Sequence, residues 1–198
     1  MLMNAPVHPW HDIYVDDHQI DGAFPVVIEV PKGSKNKYEL DKETGLLSLD
    51  RVLYSAVHYP ADYGFVPRSF CDDGDPLDAL VLGQDPVYPL TIVEARAIGL
   101  MRMRDDKGID DKIIAVSVRD PAFCDYTDHQ QLPTHVGREI KRFFQDYKVL
   151  ENKTVVVEDI LGPAEALAII RQSLDLYRKL RRGEIGPGAI GAGATGAR

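Results

Sequence analysis

The sequence predicts a mainly β protein of the α+β class, a barrel or strongly curved sheet with two helices packed on it. Three observations carry that expectation. Over about the first 120 residues, short runs rich in β-branched side chains alternate with turn residues. From Thr134 onward the apolar spacing switches to the helical period. Neither an internal repeat nor an interdomain linker interrupts the chain, so residues 1–182 read as one domain. The Gly/Ala-rich tail, 183–198, is expected to be disordered.

Taken in order, Phe24 to Val30 (FPVVIEV) reads as a strand with Glu29 as an acidic interruption near its end. Lys37 to Leu40 alternates, a turn at Asp41 to Gly45 follows, and LLSLDRVLYSAV continues a meander through Leu46 and Val57. ALVL, after Asp78, is a further short strand, and Ile92 to Met103 a long one. Asp105 to Asp111 (DDKGIDD) forms a tight turn with Gly108 at its tip, leading into the strand KIIAVSV. An amphipathic helix runs from Thr134 to Glu151, with Val136, Ile140, Phe143, Phe144, Tyr147 and Leu150 on its apolar stripe. A short strand follows at Thr154 to Glu158. Pro163 then opens a second helix with Leu167, Ile170, Leu174, Tyr177 and Leu180 turned inward.

At 198 residues, 44% hydrophobic and 27% charged, the chain has the composition of a globular protein able to bury its own core. No stretch approaches the roughly 20 apolar residues of a membrane span, and the N-terminus lacks the pattern of a secretory signal. The two cysteines, Cys71 and Cys124, have neither metal nor redox spacing and read as free thiols in a reducing compartment, by default the cytoplasm. A net charge of −8 argues against non-specific nucleic-acid binding. Such a protein still binds an anion when metal ions bridge the two. That requires carboxylates and a few cationic side chains in one place.

The carboxylates are conspicuous. Asp73 to Asp78 (DGDPLD) places three aspartates on a segment shaped by its own residues: Gly74 permits unusual backbone angles, and Pro76 fixes φ and extends Asp75. Three like charges so close repel unless a cation sits among them, and hard divalent cations prefer oxygen ligands. The same residue types also make ordinary solvated turns, so the run alone leaves both readings open. A calcium EF-hand fails on spacing, because Leu77 would stand at a ligand position, Asp78 at the glycine and Gln84 at the final glutamate. The turn DDKGIDD adds Asp105, Asp106, Asp110 and Asp111; alone it is a hairpin tip. Candidate cations and hydroxyls are scattered: Lys37, Arg51, Tyr59, Tyr63, Lys112, Tyr147 and Lys148. No phosphate-binding glycine loop, nucleophile elbow or His/Cys zinc cluster is present in the sequence.

In order and spacing, VVIEVP, KYELDKETG, the arginine of LDR, YPADYGF, DGDPLD with its following ALV, DDKGIDDK and FFQDYK resemble the soluble family I inorganic pyrophosphatases, over about Phe24 to Glu151. The resemblance implies a five-stranded OB-like closed β-barrel with two main flanking helices. It implies hydrolysis of pyrophosphate to two orthophosphates, by direct in-line attack of an activated water without a covalent intermediate. Asp73, Asp78 and Asp110 would be metal ligands, with Asp105 and Glu29 helping to hold further ions, and Asp75 would accept the proton of the attacking water. Lys37, Arg51, Tyr63, Lys112, Tyr147 and Lys148 would bind phosphate, with Glu39 and Tyr59 also at the site. Lys37 and Tyr63 would face the phosphorus under attack; Arg51, Tyr147 and Lys148 would face the leaving group. Several Mg2+ ions are the implied cofactor, with Mn2+ or Zn2+ as substitutes, and the assembly implied is a cytoplasmic homohexamer that binds neither nucleic acid nor membrane.

That chemistry asks for these groups. Pyrophosphate is a polyanion that repels a nucleophile, so its charge must be neutralised and the attacking water made acidic, which divalent ions accomplish. A carboxylate base takes the proton, and lysine and arginine stabilise the charge that migrates to the leaving phosphate. Two rivals stand beside it. An OB-like nucleic-acid module would show a basic groove with exposed aromatics, against which the acidic balance argues. A non-catalytic metal-binding protein would not need the ordered Lys, Arg and Tyr set.

Overall fold

The computed structural model describes residues 7–105 and 108–186, with the side chain of Asp105 outside that description. Among the described residues, eight strands and two α-helices follow one another as β1 (Phe24–Val30), β2 (Asn36–Leu40), β3 (Leu47–Val52), β4 (Asp62–Phe65), β5 (Asp78–Leu82), β6 (Ile92–Asp105), β7 (Gly108–Ser117), α1 (Thr134–Asp146), β8 (Val156–Leu161) and α2 (Pro163–Arg181). In the main sheet the order is β1-β4-β5-β7-β6-β8, and an additional pairing of β1 with β6 closes five of these strands into a ring. This is the five-stranded barrel with two flanking helices that the resemblance implies. β2 and β3 form a separate hairpin.

β6 makes the closure possible. Along one edge it pairs with β7; along the other it takes β1 at Ile92 to Ala95 and β8 at Leu100 to Arg104. A bulge between Ala97 and Gly99 lets so long a strand bend. Among the described strands only β5 and β7 run parallel, with Asp78 opposite Lys112. Two segments distant in sequence therefore enter the sheet at the same end.

Both faces of these strands are buried, and the side-chain alternation sorts them into two cores. Ala79 and Val81 of β5 and Ile113 and Ala115 of β7 pack with Ile170 and Leu174 of α2. Leu80, Leu82, Ile114 and Val116 pack with Ile140, Phe143 and Phe144 of α1. The stretch before Phe24 belongs to the packing too: Trp10 is buried among Phe65, Phe70 and Tyr177, and its Nε1 donates to the Ser69 carbonyl at 2.8 Å.

Several boundaries differ from the sequence expectation. β4 is absent from it, because four residues containing an aspartate and a glycine show no periodic pattern, yet all four are buried. Gly64 lies there because a Cβ would sit 1.9 Å from the Val27 carbonyl oxygen. The meander strand ends at Val52 rather than running on to Val57. The strand expected at Thr154 to Glu158 spans Val156–Leu161. α1 stops at Asp146, with Tyr147 as its C-cap and a separate 3-10 turn at Val149–Glu151 closed by left-handed Asn152. Leu150 consequently leaves the apolar stripe and is exposed. Of the tail, residues 187–198 lie outside the described residues.

Candidate active site

The parallel pairing of β5 and β7 creates the centre of the site. Asp78 opens β5, and Asp110 and Lys112 lie two apart on β7, so both point to one face. The Lys112 ammonium, only 2% exposed, reaches Asp78 Oδ2 at 2.6 Å, Asp110 Oδ1 at 2.9 Å and the Tyr63 hydroxyl at 3.1 Å. Tyr63, on β4, also donates its hydroxyl to Asp78. Burial disfavours the charged lysine, but Asp110 and Asp78 outweigh it and hold its pKa well above the ordinary value. The ammonium lies over the Tyr63 and Phe144 rings at 5.4 and 5.6 Å.

The acidic turn DDKGIDD resolves differently from its expectation. It is strand from Gly108 onward, and a two-residue side-chain period splits its aspartates between faces. Asp110 faces Lys112, whereas Asp111 points away into a two-bond pair with Arg102, both bonds at 2.8 Å. Asp111 is thus a structural partner. Asp105 ends β6 by its backbone, its side chain lies outside the description, and Asp106 lies outside the described residues altogether.

DGDPLD proves to be a turn and an acidic cluster together. Gly74 has φ 87°, Gly74 N–H donates to the Cys71 carbonyl at 3.0 Å, and Cys71 N–H donates to the Asp75 carbonyl at 2.8 Å. The Asp75 N–H donates to Asp73 Oδ1 at 3.1 Å. Burial raises the Asp73 pKa, and Asp75, Asp78 and Asp110 add to it. The Cys71 thiol is pushed well up by burial and then by Asp73, Asp78, Asp110 and Asp72, so its reactive thiolate is disfavoured. The Asp75 carboxylate itself is half-exposed and ion-paired with Lys42.

The β2–β3 hairpin supplies the second cluster. Lys37 and Arg51 are register partners across it. Lys37 pairs with Glu39 and, at 3.2 Å, with Asp50. Arg51 pairs with Asp50 and, through Nε at 2.8 Å, with Glu151 in the turn after α1. Glu29, buried on β1, joins this cluster to the first: its carboxylate accepts from Leu40 N–H at 2.7 Å, and Asp78, Lys37 and Glu39 all act on it electrostatically.

Burial first and Asp78 second raise Glu29 to about 8. In an unfolded chain it would titrate near 4.5, so between those values the folded protein holds a proton that the unfolded chain has released. Raising pH through this window therefore opposes folding. We expect metal-free protein to lose stability from about pH 5 to 8, by up to ~1.4 kcal/mol per pH unit, and Glu29→Gln to flatten that slope. Urea midpoints at both ends of the window, in chelator, test this; an unchanged slope in the variant would exclude Glu29 as its source.

Tyr59 ties the clusters together. It is buried 5.3 Å from the Tyr63 ring and 4.7 Å from Phe143, which in turn stacks near Tyr147 at 5.6 Å. Burial raises the pKa of Tyr59 and of Tyr63 well above the ordinary value, keeping both as hydroxyl donors. Tyr147, Lys112, Asp78 and Arg51 all act on the Tyr59 hydroxyl, so Arg51 of the hairpin and the carboxylate centre face one region. Because α1 ends at Asp146, Tyr147 turns into the core while Lys148 leaves the helix, its ammonium 5.2 Å from the Tyr147 ring centre. The geometry therefore gathers Glu29, Lys37, Glu39, Arg51, Tyr59, Tyr63, Asp73, Asp78, Asp110, Lys112 and Tyr147, and leaves Asp75 at its edge on Lys42.

Sequence reasoning passes over Lys42, Asp50 and Glu151. Asp50 sits in the quoted LDR and Lys42 in KYELDKETG, but nothing local tells a pairing partner from a surface charge. Glu151 is 100 residues from Arg51 and only the fold joins them.

The residues fit a hard divalent cation by chemistry: Asp73, Asp78, Asp110 and Glu29 offer only oxygen, and burial first, then neighbouring carboxylates, raise the pKa of Asp73 and Glu29. Among the described residues no three such groups are gathered into a ready ion-holding set. Lys112 lies on Asp78 and Asp110 instead.

Residues 26–178 match the family described as Inorganic pyrophosphatase. The soluble inorganic pyrophosphatase PPA1 of Solanum tuberosum is 56% identical, over 88% of this chain and 82% of its own. The crystal structure of an inorganic pyrophosphatase from Thermus thermophilus superposes with a TM-score of 0.82 at 40% identity, covering 87% of this chain and 99% of that one. One from Helicobacter pylori does so with a TM-score of 0.79 at 40% identity, covering 84% and 98%. Fold and likeness agree, and the chain belongs to the inorganic pyrophosphatase family.

Proposed function

We propose that this protein hydrolyses inorganic pyrophosphate to two orthophosphates at the cluster around Lys112, in a divalent-metal-dependent reaction. The observation that carries the reading is a buried ammonium held between two carboxylates, beside two hydroxyl donors and the hairpin cations. Such a mixture suits a polyanion brought in with metal, not a polyanion alone.

Asp73, Asp78 and Asp110, with Asp105 and Glu29, would hold the ions, which we propose to be Mg2+. When bound, these ions neutralise substrate charge and acidify the attacking water. Everything else falls to the chain. Lys37 and Tyr63 grip the phosphoryl group under attack; Arg51, Tyr147 and Lys148 grip the leaving phosphate and stabilise the charge that accumulates on it. Lys112 lies between the carboxylates and serves both. Glu39 and Asp50 aim Lys37, and Glu151 and Asp50 aim Arg51. Asp75 takes the proton of the attacking water. Direct water attack without a covalent intermediate rests on the family resemblance. Among the described residues no helix is long and apolar enough to cross a membrane. The cytoplasmic homohexamer rests on the family resemblance.

The test is phosphate release from pyrophosphate by the purified protein, with Mg2+ and after chelation. The expected result is two phosphates per pyrophosphate, with Mg2+ only. Folded protein that releases none in the presence of Mg2+ would sink the proposal.

A further inference from the structure

We propose that Lys42 is a positioning residue for Asp75, clasping the acidic loop from the tip of the β2–β3 hairpin. The inference rests on the reading of Asp75 as the proton acceptor.

The contact has two points. The Lys42 ammonium pairs with the Asp75 carboxylate and donates to the Gly74 carbonyl at 3.1 Å. One ion pair between half-exposed side chains can swivel and contributes little. Two contacts on consecutive residues, one of them the left-handed Gly74, fix the direction in which the carboxylate points. The main chain of the loop is held separately, through Cys71 N–H on the Asp75 carbonyl and Asp75 N–H on Asp73. What remains free without Lys42 is the Asp75 side chain, the part that the chemistry uses.

The lysine is itself anchored. Its turn is closed by Asp41 N–H to the Leu46 carbonyl and Gly45 N–H to the Asp41 carbonyl, both 2.8 Å, and by Thr44, whose N–H and hydroxyl reach Asp41 Oδ1 at 2.7 and 2.6 Å. The N-terminal segment braces it: His8 Nε2 lies 3.2 Å from the Lys42 carbonyl oxygen, and Pro9 and His8 fill the space beside Gly45. The strands below that tip carry Lys37 and Arg51. One rigid hairpin thus presents the substrate cations along its strands and orients the base at its tip, which ties the placement of the base to the placement of the phosphates.

Lys42→Met, Lys42→Arg, Asp75→Asn and the Met/Asn double variant test this by steady-state phosphate release with Mg2+. Misdirecting a reacting group by a fraction of an ångström costs rate rather than binding, so Lys42→Met is expected to lower kcat about tenfold, with KM and thermal midpoint unchanged. Lys42→Arg, able to make both contacts, should restore most of the loss. In the Asp75→Asn background, Lys42→Met should have no further effect. A Lys42→Met kcat equal to the parent's, a change confined to KM, or an equal loss in the Asn background would each overturn the clasp while Asp75→Asn stays at its reduced turnover. Full activity of Asp75→Asn would instead overturn the base assignment, and the clasp with it.

Discussion

Asp75→Asn is expected to lower the turnover of pyrophosphate about a thousandfold, within the range that a positioned general base contributes. Asparagine has the same shape and cannot take a proton. It should leave the loop intact, because the bonds that shape it there are made by the Asp75 main chain, to Cys71 and Asp73. The carboxylate is half-exposed and its ion partner is a half-exposed lysine, so the cost in stability is small. Circular dichroism and Mg2+ titration should therefore match the parent while phosphate release collapses. A variant that keeps its rate would move the base elsewhere; one that loses Mg2+ binding would make Asp75 a ligand.

Lys112→Met should be damaging in two separable ways. The ammonium is buried between Asp78 and Asp110, and its removal leaves those carboxylates facing one another with no positive charge between them. Breaking such a pair from one side costs about 3 kcal/mol, the low end of the buried range, because the carboxylates keep some contact with water. In chelator the urea midpoint should fall accordingly. Added Mg2+ should restore part of it, since a cation among the same oxygens replaces the missing charge. Turnover should remain depressed by about 10²–10³-fold even then, if Lys112 is the phosphoryl donor proposed above. Unchanged metal-free stability would mean that the aspartates repel less than the geometry implies.

Legibility from sequence followed the range of the forces involved. The second helix reads correctly because its apolar spacing is a local periodic signal, and Ile170, Leu174 and Tyr177 are buried as expected. The first helix reads five positions too far, to Glu151 instead of Asp146, because Leu150 continues the stripe while the chain leaves the helix at Tyr147 and turns back at left-handed Asn152. β4 has no local signal; its burial comes from close backbone approach to β1 at Gly64. At the site, the residue types and the turn chemistry of DGDPLD are readable, but composition alone leaves Asp110 and Asp111 equivalent; the family resemblance names Asp110, and the strand's alternation supplies the physical reason.

The sequence by itself determined the chemical inventory, the family pattern, the turn that shapes the three aspartates and the switch from strand to helix. These depend on backbone preferences and periodicity within a few residues. Only the tertiary structure decided who faces whom: the parallel register that sets Asp78 against Lys112, the reach of Glu151 to Arg51, and the clasp of Lys42 on Asp75. Those contacts come from strand pairing and chain return across tens of residues. Coulomb interaction at short range then turns these neighbours into a site, whatever their distance in sequence.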